Sequence, residues 1–179
     1  ARGLTVVTPE GEQCARPEAW HLGEAYRLRG IAPEAVFLAV KLYDTAWASA
    51  LLANWLPGGM PVVTLQNALV EEIVAAELGW GRVLGGIAGG LDVLLREPGV
   101  VKRARRRWAA SSPVFKIGEV HGRRTQRAER LVELLGAVDH AAVTTDLWTQ
   151  RWAKLCANSM TTGLSGLTGL SLRDVYARE

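Results

Sequence analysis

Three short runs of this chain are almost continuously apolar: Ala35-Val-Phe-Leu-Ala-Val40, Pro61-Val-Val-Thr-Leu65 and Val83-Leu-Gly-Gly-Ile-Ala88. Runs of that length without alternating polar positions suit strands buried on both faces of a parallel sheet. Between them, the pattern from Asp44 to Leu56 predicts a helix closed by Pro57-Gly58-Gly59, and Glu71 to Leu78 predicts another, ended by Gly79. Strand, helix, strand, helix, strand at this spacing predicts a parallel α/β sheet with helical crossovers. Upstream, the β-branched stretch from Gly3 to Gly11 reads as a short strand running into a Pro-Gly turn. Downstream, Val114 to Glu119 reads as a strand and turn, Arg123 to Leu135 as an amphipathic helix, and residues 141–145 as a short strand. From Asp146 the pattern is helical and continues to Glu179, which places a domain boundary near residue 145. The expected units are therefore 1–145 and 146–179.

Composition narrows this picture only a little. A chain of 179 residues holds one domain, or one domain and part of another. Apolar residues at 49% and charged residues at 22% are the balance of a soluble globular protein, and no apolar run is long enough to span a membrane. Ala1-Arg2-Gly3-Leu4-Thr5 is not a basic segment followed by an apolar one, so no secretory leader is expected, and the absence of a starting Met leaves room for trimming. Cys14 and Cys156 lie far apart in no metal or redox spacing. A disulfide and free thiols are both open, and free thiols in a reducing, cytoplasmic setting are the expectation. His21, His121 and His140 show no metal-ligand spacing. The net charge of +3 is concentrated in Lys102-Arg103-Ala104-Arg105-Arg106-Arg107. That run reads either as a contact for nucleic acid or an anionic ligand, or as a solvated loop. Only Trp108 accompanies it as an aromatic, and the loop is the expectation.

The chemistry-bearing residues fall at strand ends and on one helix. Lys41 directly follows the second predicted strand, and Asn67 follows Val62–Leu65. In open α/β sheets, ligands bind beyond the carboxyl ends of the strands. Read plainly, Lys41 is a solvated strand-end lysine and Asn67 a turn or cap residue. The helix through Trp148-Thr-Gln-Arg-Trp-Ala-Lys154-Leu-Cys-Ala-Asn158 places a cation and an amide four residues apart, on one face. Such a pair can hold and protonate a small polar ligand, and the four residues together make a candidate site.

Taken in order, Val36-Phe-Leu-Ala-Val-Lys41-Leu-Tyr-Asp-Thr45, Leu65-Gln66-Asn67 and Trp152-Ala-Lys154-Leu-Cys-Ala-Asn158 resemble the 2-dehydropantoate 2-reductase (ketopantoate reductase) family. Gly85-Gly86, Ile117-Gly118-Glu119 and Leu164-Ser-Gly-Leu-Thr-Gly169 add to the likeness, which runs through nearly the whole chain. The resemblance implies a Rossmann-like α/β domain for NADP(H), here incomplete, followed by the start of an all-helical substrate and dimerisation domain. It implies reduction of ketopantoate to pantoate, on the route to pantothenate and coenzyme A. It also implies Lys154 as the catalytic lysine and Asn158 as a substrate ligand. Asn67 would lie beside nicotinamide and substrate, and Lys41 on the cofactor side.

Elementary chemistry agrees with those roles. Hydride arriving at a carbonyl carbon leaves negative charge on oxygen, which an ammonium group stabilises and then protonates. Partial burial lowers a lysine's pKa and eases that donation. The plain alternative is a surface helical lysine, against which stand its neighbours Trp152 and Leu155.

The chain also departs from the family. It has no Gly-x-Gly-x-x-Gly turn, the device that brings a pyrophosphate against a helix N-terminus; Gly79-Trp-Gly-Arg-Val-Leu84 fails at the last glycine and follows a helix. The sequence is expected to begin well inside the family's first domain and to stop early in the helical one. Ala68 stands where Leu-Gln-Asn is usually followed by glycine. Thr162 stands where a second substrate-binding asparagine is frequent, its hydroxyl still offering a hydrogen bond. Reduction of a related 2-oxo acid is therefore an alternative, as is a non-catalytic interaction module on the same scaffold. Exposed sheet edges in such an incomplete unit predict association with a second copy or a complementing chain.

Overall fold

In the computed structural model, which describes residues 3–108 and 111–177, the chain opens with a hairpin of β1 (Leu4–Thr8) and β2 (Gly11–Ala15). After a 3-10 segment at Leu22–Gly30 come β3 (Val36–Leu38), α1 (Thr45–Trp55), β4 (Val62–Thr64), α2 (Glu71–Leu78) and β5 (Val83–Ala88). A second hairpin, β6 (Val93–Glu97) and β7 (Val100–Arg103), precedes β8 (Phe115–Glu119), α3 (Gln126–Gly136) and β9 (Ala141–Val143). The chain then turns helical through α4 (Leu147–Asn158), a π-helical turn at Ser159–Gly163, α5 (Leu164–Thr168) and α6 (Leu172–Tyr176).

The central sheet has the order β3-β4-β5-β8-β9. β3, β4 and β5 are parallel, as the apolar runs predict. β8 joins β5 antiparallel, and β9 runs parallel to β8. Alternate residues explain why the runs are continuous. Val62 and Val83 face a core with Leu52 of α1 and Val74 and Leu78 of α2. Their neighbours Val63 and Leu84 face the opposite core with Ile117 and with Ala128, Leu131 and Leu135 of α3. Both faces are covered, so no position in these strands can be polar without a partner.

The strand expected between Gly3 and Gly11 is present as β1, outside the central sheet. It sits in a separate four-stranded sheet, β2-β1-β7-β6, with β1 parallel to β7 and both hairpins antiparallel. β2 and β6 form its edges, and both are exposed along their length. This sheet is fastened to the central one by Arg103 at the end of β7, whose guanidinium donates to the carboxylate of Asp139, just ahead of β9. Asp139 also accepts from the backbone N–H of Trp108 at 3.0 Å and of His140 at 2.6 Å.

The basic run is therefore not the expected solvated loop. Lys102 and Arg103 belong to β7, Arg103 is buried, and Arg107 donates to the carbonyls of Val138, at 3.1 Å, and Ala137. Cys14 and Cys156 are free and exposed. Among the described residues no helix is long and apolar enough to cross a membrane.

Candidate functional site

Helix α4 carries the candidate lysine, and three contacts fix where it lies. The first is steric. Gly85 of β5 and Gly118 of β8 face one another in the strand register. A Cβ on Gly85 would lie 2.5 Å from the Leu147 methyls, and one on Gly118 would lie 3.2 Å from Leu147 Cβ. Two strands without side chains at this point leave a hollow that seats the first residue of α4. The second contact is the Trp148 indole N–H, which donates to Val120 O at 2.9 Å.

The third is a buried polar network around Arg151, one turn after Leu147. Arg151 Nη1 donates to Gln66 O at 2.6 Å, and Nη2 donates to Thr64 O at 2.9 Å and Thr64 Oγ1 at 2.6 Å. Nη2 also meets the Glu71 carboxylate. The Thr64 hydroxyl donates onward to Glu71 Oε1 at 2.7 Å, and the Val70 N–H donates to Glu71 Oε2 at 3.1 Å. Both charged side chains are essentially inaccessible, at 1% and 0% exposure. Sequence reading passed over this pair. The signal was present: Leu147, Arg151, Lys154 and Asn158 recur at i, i+4, i+7 and i+11, so Arg151 shares the inward stripe of the helix with an apolar residue.

Three residues beyond Arg151, Lys154 is half-buried, and its Nζ donates to the carbonyl of Ala88 at the end of β5. Burial is the main cause that lowers its pKa below the ordinary 10.5, with the nearby positive charge of Arg151 adding to it. Lys154 lines a cleft of about 600 Å³ together with Asn67, Gln150, Asn158, Arg105 and Lys116. Asn67 and Asn158 hydrogen-bond through their side-chain amides to no other described residue, which leaves both amides for a ligand.

The sequence candidates divide accordingly. Lys154, Asn158 and Asn67 come together in the cleft. Lys41 does not line it. Lys41 lines an adjoining depression of about 390 Å³ at the carboxyl ends of β3 and β4, which shares Asn67 with the cleft. Thr162 is exposed on the π-helical turn and lines neither hollow. Ala68, beside Asn67, has φ of 68°, a left-handed conformation that favours glycine.

The profile of the family described as Ketopantoate reductase PanE/ApbA matches residues 1–119 of the chain. The chain belongs to the ketopantoate reductase family. Among solved structures, it is similar to 2-dehydropantoate 2-reductase from Geobacter metallireducens GS-15, at 27% identity and a TM-score of 0.84 over 99% of this chain and 56% of that one. The 2-dehydropantoate 2-reductase from Porphyromonas gingivalis W83 matches at 19% identity and a TM-score of 0.76, over 99% of this chain and 60% of that one. A D-mandelate dehydrogenase in ternary complex with NADH and anilino(oxo)acetate shares the fold at 16% identity, with a TM-score of 0.72 over 92% of this chain and 50% of that one. The chain thus spans between half and three-fifths of the length of these three structures. No curated protein sequence matches it. Membership agrees with the mixed α/β core described above.

Proposed function

We propose that the protein containing this chain reduces 2-dehydropantoate to pantoate with NADPH. The observation that supports this most directly is Lys154. Its ammonium is half-buried at the carboxyl end of β5, held by a backbone carbonyl, and flanked across one cleft by the amides of Asn67 and Asn158. Lys154 serves as general acid. Its proton passes from Nζ to the carbonyl oxygen of the substrate as charge develops there. Asn67 and Asn158 donate hydrogen bonds that hold the 2-oxo acid in register. Thr162, exposed and lining neither hollow, is left out of the site.

The residues present suit one end of a nicotinamide cofactor. The depression between Lys41 and Asn67 opens at the carboxyl ends of parallel strands and runs on into the cleft through Asn67. When bound, the cofactor supplies the hydride. Lys41 gives that depression its positive charge, and Asn67 stands between cofactor and substrate. We place the junction between the cofactor-binding unit and the helical substrate unit at residue 145, just ahead of α4, and the protein in the cytoplasm. Association of copies is part of the same reading, since Val93, Leu94 and Leu95 of edge strand β6 are 51%, 63% and 65% exposed.

The test is the loss of reduced-nicotinamide absorbance with purified protein and ketopantoate, comparing NADPH with NADH. Turnover that vanishes in Lys154→Ala supports the assignment; a variant with normal turnover would remove Lys154 from the role of general acid. Preference for another 2-oxo acid, such as the phenyl-bearing kind suggested by the mandelate dehydrogenase neighbour, would keep the mechanism and change the substrate.

A further inference from the structure

The described lining of the cleft contains three cations, Arg105, Lys116 and Lys154, and no aspartate or glutamate. A concave surface charged in this way concentrates anions. Two of the cations are set on one short turn. Lys154 binds the carbonyl of Ala88. Two residues on, Gly90 has φ of 69°, and a Cβ placed there would lie 3.0 Å from Arg105 Nη1. The guanidinium therefore rests against bare backbone. Two residues span at most about 7 Å, so ammonium and guanidinium address neighbouring points of the cleft. Asp92 orients the arginine: its Oδ2 lies 3.4 Å from Arg105 Nε, and its carbonyl accepts from the Ala104 N–H at 2.9 Å. The Arg105 side chain remains 43% exposed, so its donor edge is open to a ligand.

We propose that Arg105 grips the carboxylate of the substrate, and that this contact makes the cleft select 2-oxo acids over neutral ketones. The assignment rests on the reductase reading above. In a 2-oxo acid the carboxylate is attached to the carbonyl carbon itself, so a ketone oxygen at Lys154 carries the carboxylate to within reach of a second cation on the same turn. A guanidinium fork matches two carboxylate oxygens at once, which the single ammonium of Lys116 does not.

The test compares wild type, Arg105→Ala and Arg105→Lys in the complete protein, with ketopantoate and with its methyl ester. Arg105→Ala raises KM for the acid by about tenfold or more, leaves KM for the cofactor within about twofold, and erases the preference for acid over ester; Arg105→Lys recovers part of each. Calorimetric titration of oxamate, with cofactor present, reads the same contact without turnover and shows a comparable loss of affinity. An unchanged KM for the acid overturns the assignment. So does a rise confined to the cofactor, which would put Arg105 on a phosphate group. If Lys154→Ala is inactive while Arg105→Ala is normal, the reductase reading stands and this one falls. A wild type that reduces no 2-oxo acid removes both.

Discussion

Replacing Arg151 by alanine takes away the cation that faces Glu71 in the interior. Four acceptors lose their donor: the carboxylate, the Thr64 hydroxyl and the carbonyls of Thr64 and Gln66. Glu71 keeps the Thr64 hydroxyl and the Val70 N–H, so its charge is partly but not fully compensated. Removing one member of a buried pair typically costs about 3–5 kcal/mol, because the partner is left charged without access to water. Against a total stability of about 5–15 kcal/mol, that loss is a large fraction of what holds the fold. For a chain of this size it lowers Tm by roughly 6–20 °C. Urea denaturation followed by far-UV circular dichroism measures it. The companion variant is Arg151→Met with Glu71→Leu, which removes both charges and keeps apolar volume. Its cost falls below the sum of the single changes by about 1–3 kcal/mol, since no charge is then stranded. A single-variant cost under about 1 kcal/mol, or strict additivity, refutes the view that this network anchors α4. The network also touches the chemistry. The charge of Arg151 is the second cause, after burial, of the lowered Lys154 pKa, so Arg151→Met moves the alkaline fall of kcat/KM to higher pH while burial keeps it below the ordinary lysine value.

Three more outcomes follow from single contacts. Ala68→Gly relieves a left-handed alanine and stabilises the protein by about 1 kcal/mol in equilibrium unfolding; a destabilised variant would show that the side chain matters more than the backbone. Gly85→Ala drives a Cβ into Leu147 and costs about 1–3 kcal/mol; combined with Leu147→Ala, itself costly at a buried site, the double variant loses less than the sum of the two, and strict additivity would mean that Leu147 is not what occupies the hollow. Acid weakens the fold through Glu119 and Asp139. Burial raises both carboxyl pKa values, but Arg127 and Thr125 on Glu119, and Arg103 with two backbone N–H groups on Asp139, outweigh it and hold them below 4.5 and 3.8 respectively. Their stabilisation is whole above those ordinary values and is lost as pH falls through the lower folded ones, so Tm measured from neutral pH downward stays level and then drops. In Arg103→Ala the protein is less stable at neutral pH and the Asp139 share of that drop shrinks, because the carboxyl has lost a partner that lowered its pKa.

The sequence displays the central sheet because burial on both faces forces continuous apolar runs, and no other element here has that constraint. β5 and α2 lie where the pattern puts them. The second sheet is harder to see, because β2 is exposed throughout and carries no alternation. β6 and β7 leave a mark in the sequence, two apolar runs around the Pro98-Gly99 turn. The candidate site shows the same division. Lys41, Asn67, Lys154 and Asn158 can be picked out as polar residues at strand ends and on one helical face. Arg151 can be placed on the inward stripe of the helix by its spacing, but neither its partner Glu71 nor the role of Arg105 can be read that way, because the meaning of an arginine lies in what surrounds it. One sits in a helix otherwise read as a carrier of Lys154, and the other in a run that reads as mere charge.

The buried Arg151 explains why the visible lysine is useful. A general acid has to be held close to its productive position, and a lysine on a flexible stem cannot hold itself there. Here α4 is fixed at its first residue by the hollow over Gly85 and Gly118, and one turn later by Arg151 bonded to the end of β4. Lys154 follows less than one turn after that second point, with its Nζ tied to the end of β5. Asn67 lies three residues past Thr64, whose carbonyl and hydroxyl Arg151 grips, so one side chain sets the helix that carries the acid and the strand end that carries the amide. A change at Arg151 should therefore disturb Lys154 and Asn67 together, lowering kcat and raising KM in one variant. A change at Asn67 alone should affect substrate binding and leave the pH dependence set by Lys154 in place.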